Sequence, residues 1–534
     1  MNTPSKKRAP VPEYVSPNQL TLDGFETPFE RKLNPGNRWV VLAHLIPWDE
    51  ICGLYLKLVP AGKTGRPALS PRLILGSLII KHMCNLDDRE TVDLISENIY
   101  MQYFLGYTSF TDEKPFDASL FVDFRKRLGV ANVNAINERI VALKTHFESD
   151  SLQQKEVKPS VVSQDEHEHD NDNTDGKSST PPEELPHKGR VIFDATACPQ
   201  DIAYPTDLSV MNDAREKVEE MVAAIYDFKL HGDRPRLYQQ KARKDYLKTA
   251  QKKNKSKKEI RNANKKQLNY LKRGIKVLNR LLDVYEQEKL AFPLDRYQQK
   301  YLWVIQLLYA QQKEMYCFKT HSIEHRIVSI HQPHVRPIVR GKQQAKVEFG
   351  AKIHVSVIDG ISFLDELSWE AYNEGAHMMN YIELYRKRFG FYPREVLADK
   401  IYCNRANRAS LKALGIRLIA KPLGRPSALS IHVSPGERNP IEGKFGQAKT
   451  GYGLNRIKAR LQGTSESWIA TIILVLNLVK LAGVALLRPY LNIVESFSAW
   501  VESAMIKSIE EFQHLKSFIH IDCSMRNINV KQVA

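Results

Sequence analysis

The 534-residue chain carries 43% hydrophobic and 26% charged residues, enough apolar material for sizeable cores and too much length for one ordinary domain. A formal charge of +17 and a pI near 9.3 point to a polyanionic partner, nucleic acid first and an anionic membrane surface second. The polar start from Met1 to Pro12 lacks the layout of a signal peptide, and six scattered cysteines without a C-x-x-C pair argue against a zinc ribbon or a disulfide framework, so a reducing cytoplasm is expected.

Residues 1–65 read as an amino-terminal arm, and residues 66–148 as a compact all-α domain. Ser70 is a capping residue followed by a first-turn proline, Pro71, with Leu73, Ile74, Leu78 and Ile79 at helical spacing. A second helix is expected over Arg89 to Tyr103. A third, capped by Asp117, covers Ala118 to Leu128 and carries Arg125, Lys126 and Arg127. A basic last helix suits a helix-turn-helix-like DNA reader; a helical domain used for packing or dimerisation is the other open reading. Residues 149–188 are dominated by Ser, Thr, Pro, Asp, Glu, Asn and His and read as a disordered polar linker. Within it, His167 and His169 read as solvated side chains and not as a metal site.

A strand is expected over Gly189 to Ala197, then long helices through Ser209 to Gln312. This helical insertion, about 209–315, holds a basic run that includes Lys252, Lys253, Lys257 and Lys258. Two readings stand for it: a solvated helical face, or an arm that tracks phosphates and gains affinity from counterion release. Strand signals return in His334 to Arg340, Ala351 to Ile358 and Ile361 to Leu367, with Asp359-Gly360 as a hairpin turn between the last two. A helix over Asn380 to Phe389 and strands over Glu395 to Ala398 and Ile416 to Ala420 follow. The apolar stretch from Trp468 to Leu487 is broken by Lys480 and reads as a buried core helix, so no membrane partner is expected. Residues 491–534 read as a helical tail.

Three carboxylates stand out along residues 189–490. Asp194 follows the apolar run Val191-Ile192-Phe193, and Asp399 follows Val396-Leu397-Ala398; runs of this kind are buried strands whose ends present side chains at a sheet edge. Glu442 opens a helix, with Asn439 as N-cap, Pro440 in the first turn and an Asn439/Glu442 pairing that resembles a capping box. Asp201 and Asp207 are rival first ligands; Asp194 is preferred because it directly follows the strand. Oxygen donors from two strands and a helix suit a pair of Mg²⁺ ions, which support in-line displacement at phosphorus. The expected fold class is α/β: an RNase H-like catalytic core with a long helical basic insertion, preceded by the all-α helix-turn-helix-like domain.

The segments Phe193-Asp194-Ala195-Thr196-Ala197 and Val396 to Asn404, together with Arg438, Glu442 and Lys449, resemble the DDE transposases of bacterial insertion sequences. That family's third-acid signature is Y-x2-R-x3-E-x6-K; Arg438, Glu442 and Lys449 match it, while Pro435 stands at the tyrosine position, leaving Tyr402 or Tyr452 as substitutes. The resemblance implies Asp194, Asp399 and Glu442 as catalytic metal ligands for two Mg²⁺ ions, with Mn²⁺ substituting and no small-molecule cofactor. It implies double-stranded DNA partners, both the element's inverted repeats and the target, and a homodimer on DNA in the nucleoid of a bacterial cytoplasm. Arg438, Lys449 and Tyr402 would contact DNA near the cut, and Lys444, Arg125, Lys126, Arg127, Lys252, Lys253, Lys257 and Lys258 would also bind DNA. A nuclease without strand transfer and a silent DNA-binding protein are the alternatives.

Overall fold

The computed structural model describes residues 32–58, 68–153, 187–339, 347–420 and 435–483, and of 143–153 the backbone alone. Helices α1 (Arg38–Leu45) and α2 (Trp48–Leu58) lie in the stretch expected to be an arm, and this corrects that reading. The Asn37 side chain accepts the Trp39 N–H and starts α1, whose Trp39, Val40, Leu42 and Ala43 are buried. Pro71 opens α3 (Pro71–Met83) as expected, although Ser70 makes no side-chain cap. The expected second helix is two, α4 (Asp88–Glu97) and α5 (Ile99–Leu105), because Asn98 is extended and caps α5 by accepting the Met101 N–H. Helix α6 (Leu120–Gln153) includes the expected third helix but continues beyond it, through a kink at Gly129 (φ 61°, ψ 174°), into the first residues of the expected linker. Residues 154–186 of that linker, and the expected tail over 491–534, lie outside the described residues.

Strand β1 (Arg190–Pro199) comes next, then the insertion: α7 (Asp207–Ile225), α8 (Phe228–His231), α9 (Gln239–Ala250), α10 (Lys257–Gln287) and α11 (Arg296–Phe318). Capping boxes at Thr206/Ser209, Ser256/Glu259 and Asp295/Gln298 fix the starts of α7, α10 and α11. Their apolar faces share one core that includes Val218, Leu271, Leu278, Ile305 and Leu308. Gly274 of α10 lets that helix approach α7, since a Cβ there would sit 3.0 Å from the Val218 side chain.

The chain then returns to the sheet with β2 (Arg336–Val339), β3 (Val347–Ile358) and β4 (Ile361–Ser368). The β3–β4 hairpin turns at Asp359-Gly360, both with positive φ (50° and 74°), as a two-residue loop matching strand twist requires. A 3₁₀ turn (Glu374–His377) leads into α12 (Met378–Phe389). After it come β5 (Glu395–Leu397), a 3₁₀ turn (Lys400–Tyr402), α13 (Arg405–Ala413) and β6 (Arg417–Ile419). A third 3₁₀ turn (Pro435–Arg438) runs directly into α14 (Asn439–Gly451), and α15 (Gln462–Gly483) is a mostly buried apolar helix. The mixed sheet has the order β2-β3-β1-β5-β6, with β4 also paired to β3; β1 is antiparallel to β3 and parallel to β5, which is parallel to β6.

The chain divides into two compact units. One holds Asp49–Glu97 and Asp112–Asn477, and with them the sheet and the insertion. In it a buried amide seam ties α6 to β4: Asn477 accepts the Ser362 N–H at 2.8 Å, and both Asn137 and Asn477 donate to the Ser362 carbonyl. Arg388 of α12 continues that seam by pairing with Glu138 (2.9 Å) and with the buried Asp365 (2.5 Å), which also accepts from His354. The described part of the other unit, residues 32–48, 98–111 and 478–483, has an aromatic core in which Trp39 and Trp48 pack 5.3 and 5.4 Å from Phe104.

Candidate active site

Asp194 lies in the middle of β1, opposite Val355 of β3, inside the strand expected over Gly189 to Ala197; the apolar run before it, taken alone, puts it at a strand end. The strand runs on through Ala195, Thr196, Ala197 and Cys198, which pair in register with β3 and carry it two residues past the expected end to Pro199. The Asp194 carboxylate accepts its neighbour's N–H (Ala195, 2.8 Å) and ion-pairs with Arg438 Nη2 at 3.2 Å. Asp399 follows β5 and caps the 3₁₀ turn after it, accepting the Lys400 N–H at 2.7 Å. Its Oδ1 lies 3.2 Å from Arg438 Nη1, so one guanidinium spans both aspartates.

Glu442 reaches the site from α14. The expected capping box is not formed there: the preceding 3₁₀ turn makes Arg438 the residue before the helix, with no side-chain cap, and Asn439 is already helical. Glu442, Phe445, Gly446 and Lys449 nonetheless share one helical face, as their spacing dictates, and line a cleft of about 850 Å³ with Asp194, Asp399 and Arg438. Lys444 is on another face of α14 and is not among the cleft-lining residues. Burial pushes the Asp194 pKa above the ordinary carboxylate value; Arg438 and the Ala195 N–H oppose this without cancelling it, and the Asp399 charge adds to it.

The opposite wall carries residues that sequence reasoning passed over. Lys352 of β3 ion-pairs with Glu374, donates to the Tyr372 carbonyl at 2.7 Å and lies 4.8 Å from the centre of the Tyr372 ring. Nothing in their local spacing marks them; the β3 register and the turn after β4 bring them to the cleft. That turn is locked to the Asp399 turn: Asn407 donates to both the Gly375 carbonyl (2.6 Å) and the Tyr402 carbonyl (3.0 Å), and a Cβ at position 375 would overlap the Ile401 carbonyl oxygen.

Two expected DNA contacts are corrected by burial. Arg125 is 3% exposed, holds Asp88 through two hydrogen bonds (2.9 and 2.7 Å) and lies 5.3 Å from the Trp468 ring centre, so it is a core residue. Tyr402 is fully buried against Phe193 and His354, beneath the cleft and not in it. Lys126 and Arg127 are exposed on α6. Lys252 and Lys253 lie exposed in the α9–α10 connection, Lys257 and Lys258 open α10, and Lys252 pairs with Glu259 at 2.5 Å. The rival aspartates are engaged elsewhere, Asp201 with Arg456 (3.0 Å) and Asp207 with Arg326 (2.7 Å).

Residues 27–127 match the family described as Transposase domain (DUF772), and residues 396–479 match the Transposase DDE domain, a span that includes Asp399, Arg438, Glu442 and Lys449. A Rhizobium meliloti protein, described as uncharacterized protein ORF8 in the nfe locus, is 31% identical over 194 residues, 36% of this chain and 75% of that protein. The chain belongs to the insertion-sequence DDE transposases. No solved structure matches this transposase. Its cleft offers oxygen donors to a divalent ion, and Arg438 already holds a cationic group between Asp194 and Asp399. Among the described residues no three acidic, histidine or cysteine side chains converge on one point, although Asp194, Asp399 and Glu442 line the same cleft.

Proposed function

We propose that this transposase cleaves DNA at the inverted repeats of its own element and transfers the freed strand to target DNA, with Asp194, Asp399 and Glu442 as its catalytic carboxylates. The observation that carries the reading is the Arg438 guanidinium bound 3.2 Å from both Asp194 and Asp399, in the cleft that Glu442 lines. Two carboxylates sharing one cation form a site that favours positive charge, and its all-oxygen donors fit Mg²⁺ or Mn²⁺. Two such ions, when bound, activate the attacking oxygen and stabilise the leaving one. The strand order, antiparallel β4-β3-β1 continued by parallel β5 and β6, supports an RNase H-like core, interrupted between β1 and β2 by the helical insertion.

The chain's own residues supply the rest. Asp194 is held on a central strand and Asp399 on a turn bolted to its neighbour, so both are rigid. Arg438, once released from the aspartates, offers paired N–H donors to a phosphate, and Lys449, two turns along the same face of α14 as Glu442, offers a point charge. Lys444 engages the backbone outside the cleft. Lys126 and Arg127 on the amino-terminal helical domain, and Lys252, Lys253, Lys257 and Lys258 on the insertion, hold flanking duplex through phosphates. Two element ends are handled together by a homodimer in the bacterial nucleoid.

The test is cleavage and joining of labelled DNA carrying the element's ends, with Mg²⁺ or Mn²⁺, by the full chain and by Glu442→Gln. Metal-dependent cuts and joined products, both lost in the variant while DNA binding persists, support the reading. Cuts without joining establish a nuclease instead, and binding without either a silent DNA-binding protein.

A further inference from the structure

Helix α11 buries one face, Tyr301, Val304, Ile305, Leu308, Gln312 and Met315, in the insertion core. Its opposite face is exposed along its whole length and carries large apolar side chains: Trp303 is 69% exposed and Leu307 60% near its centre, and Phe318 74% at its end. The exposed positions Arg296, Lys300, Trp303, Leu307, Ala310, Glu314 and Phe318 recur at three- and four-residue spacing and form one stripe. Large side chains standing in water along a single stripe mark a contact surface.

The order of residues in the stripe says what fits it. About Leu307, the sequence is complementary to itself reversed. Lys300 lies seven residues before Leu307 and Glu314 seven after; Arg296 lies eleven before and Phe318 eleven after. Two copies of α11 packed antiparallel with Leu307 at the two-fold axis would therefore set Lys300 against Glu314, Arg296 against the Phe318 ring, and Trp303 beside Ala310, twice over. A parallel pairing would set like charges together. We infer that the exposed stripe of α11 is an isologous interface with a second copy of this chain, centred on Leu307. The inference rests on the proposed dimeric action and names the surface that brings it about. A single stripe is smaller than the ~800 Å² per partner of a standard interface, so the contact is weak, concentration-dependent and strengthened when DNA brings two copies together.

The experiment uses the full chain, with and without a duplex carrying the element end, in sedimentation velocity across a concentration series. Lys300→Glu and Glu314→Lys should each weaken association at least ~10-fold, since like charges then meet at both ends, and the double exchange should restore it. Leu307→Cys should form an intermolecular disulfide on mild oxidation. The native Cys317, ten residues away along each helix, would stand about 30 Å from its counterpart and should not. Wild-type dimers unaffected by either single exchange, or cross-linked through Cys317 and not through position 307, overturn the interface while leaving the dimeric reading intact. A wild-type chain that stays monomeric even on DNA overturns both. Association with DNA that is lost in Trp303→Ala without any change in oligomeric state reassigns the stripe to nucleic acid and also overturns the inference.

Discussion

Replacing Arg438 by Met removes the one cation shared by Asp194 and Asp399 while keeping much of the side-chain volume. At 3.2 Å and an effective dielectric of about 20, each contact carries an attraction of roughly 5 kcal/mol before desolvation is subtracted. The Asp399 side chain is 56% exposed, so its end of the pair contributes only about 0–1 kcal/mol. The Asp194 side chain is 21% exposed, and stranding a fully buried charge costs about 3–5 kcal/mol, so a partly buried one loses about 2. The expected loss is about 2–3 kcal/mol at neutral pH without divalent ions.

The pH dependence has a definite sign. Burial already raises the Asp194 pKa, and the Arg438 charge is the largest opposing influence, so the variant raises it further. A carboxyl whose folded pKa lies above its unfolded value costs stability as pH rises from the unfolded value through the folded one, and costs nothing when both states are protonated. The variant's deficit should therefore be full at about pH 7 and shrink towards about pH 4. Urea unfolding of wild type, Arg438→Met and Arg438→Met/Asp194→Asn over that range measures it, and the added Asn should recover most of the loss at neutral pH. Mn²⁺ should also stabilise Arg438→Met more than wild type, because the ion no longer competes with the guanidinium. A deficit equal at both pH extremes, or not relieved by Asp194→Asn, would refute the shared-cation argument.

Burial raises the Asp365 pKa, but the hydrogen bond from His354 and the Arg388 charge outweigh it and hold the group below the ordinary value. Its stabilising contribution is thus present above the unfolded carboxyl pKa and lost as pH falls through the folded one; Asp365→Asn should cost about 3–5 kcal/mol in urea unfolding at pH 7, and the cost should shrink as pH falls below the ordinary carboxyl range. Gly375→Ala should push the Glu374 turn off the Asp399 turn, costing about 1–3 kcal/mol by thermal unfolding and reducing cleavage at temperatures where the variant is still fully folded. Replacing Lys252, Lys253, Lys257 and Lys258 together by Gln should lower the slope of log affinity against log salt by up to about 3–4, read from binding titrations on duplex DNA, with no change in unfolding; an unchanged slope would make these lysines an ordinary solvated face.

What the sequence discloses depends on whether local spacing determines the outcome. Asp399 was legible because three apolar residues are enough for a short buried strand and the next residue must leave the sheet. The Glu442–Lys449 face was legible because seven residues nearly complete two helical turns. Asp194 lines the cleft while Asp201 and Asp207 pair with Arg456 and Arg326, and its place inside the strand expected over Gly189 to Ala197 is fixed by the pairing of β1 with β3 more than 150 residues away. The basic triplet at 125–127 misled for a geometric reason. Consecutive helical residues differ by about 100° around the axis, so three adjacent cations cannot all face one way, and Arg125 turns inward onto Asp88 while Lys126 and Arg127 face water.

The same distinction explains the composition of the cleft. Its acids come from β1, the β5 turn and α14; Arg438, a member of the signature, balances Asp194 and Asp399, while Lys352, which no motif marks, balances Glu374 on the cleft wall. Arg438 fits the signature spacing whether it meets a phosphate or an aspartate; only the folded chain shows it on the aspartates. A guanidinium in that position holds two neighbouring carboxylates close together without divalent ions, which spares the folded chain the repulsion that would otherwise spread them apart. The arrangement therefore separates two demands on the same residues: Arg438 satisfies the fold before substrate arrives, and its exchange for a stronger divalent cation is what would make it available to DNA.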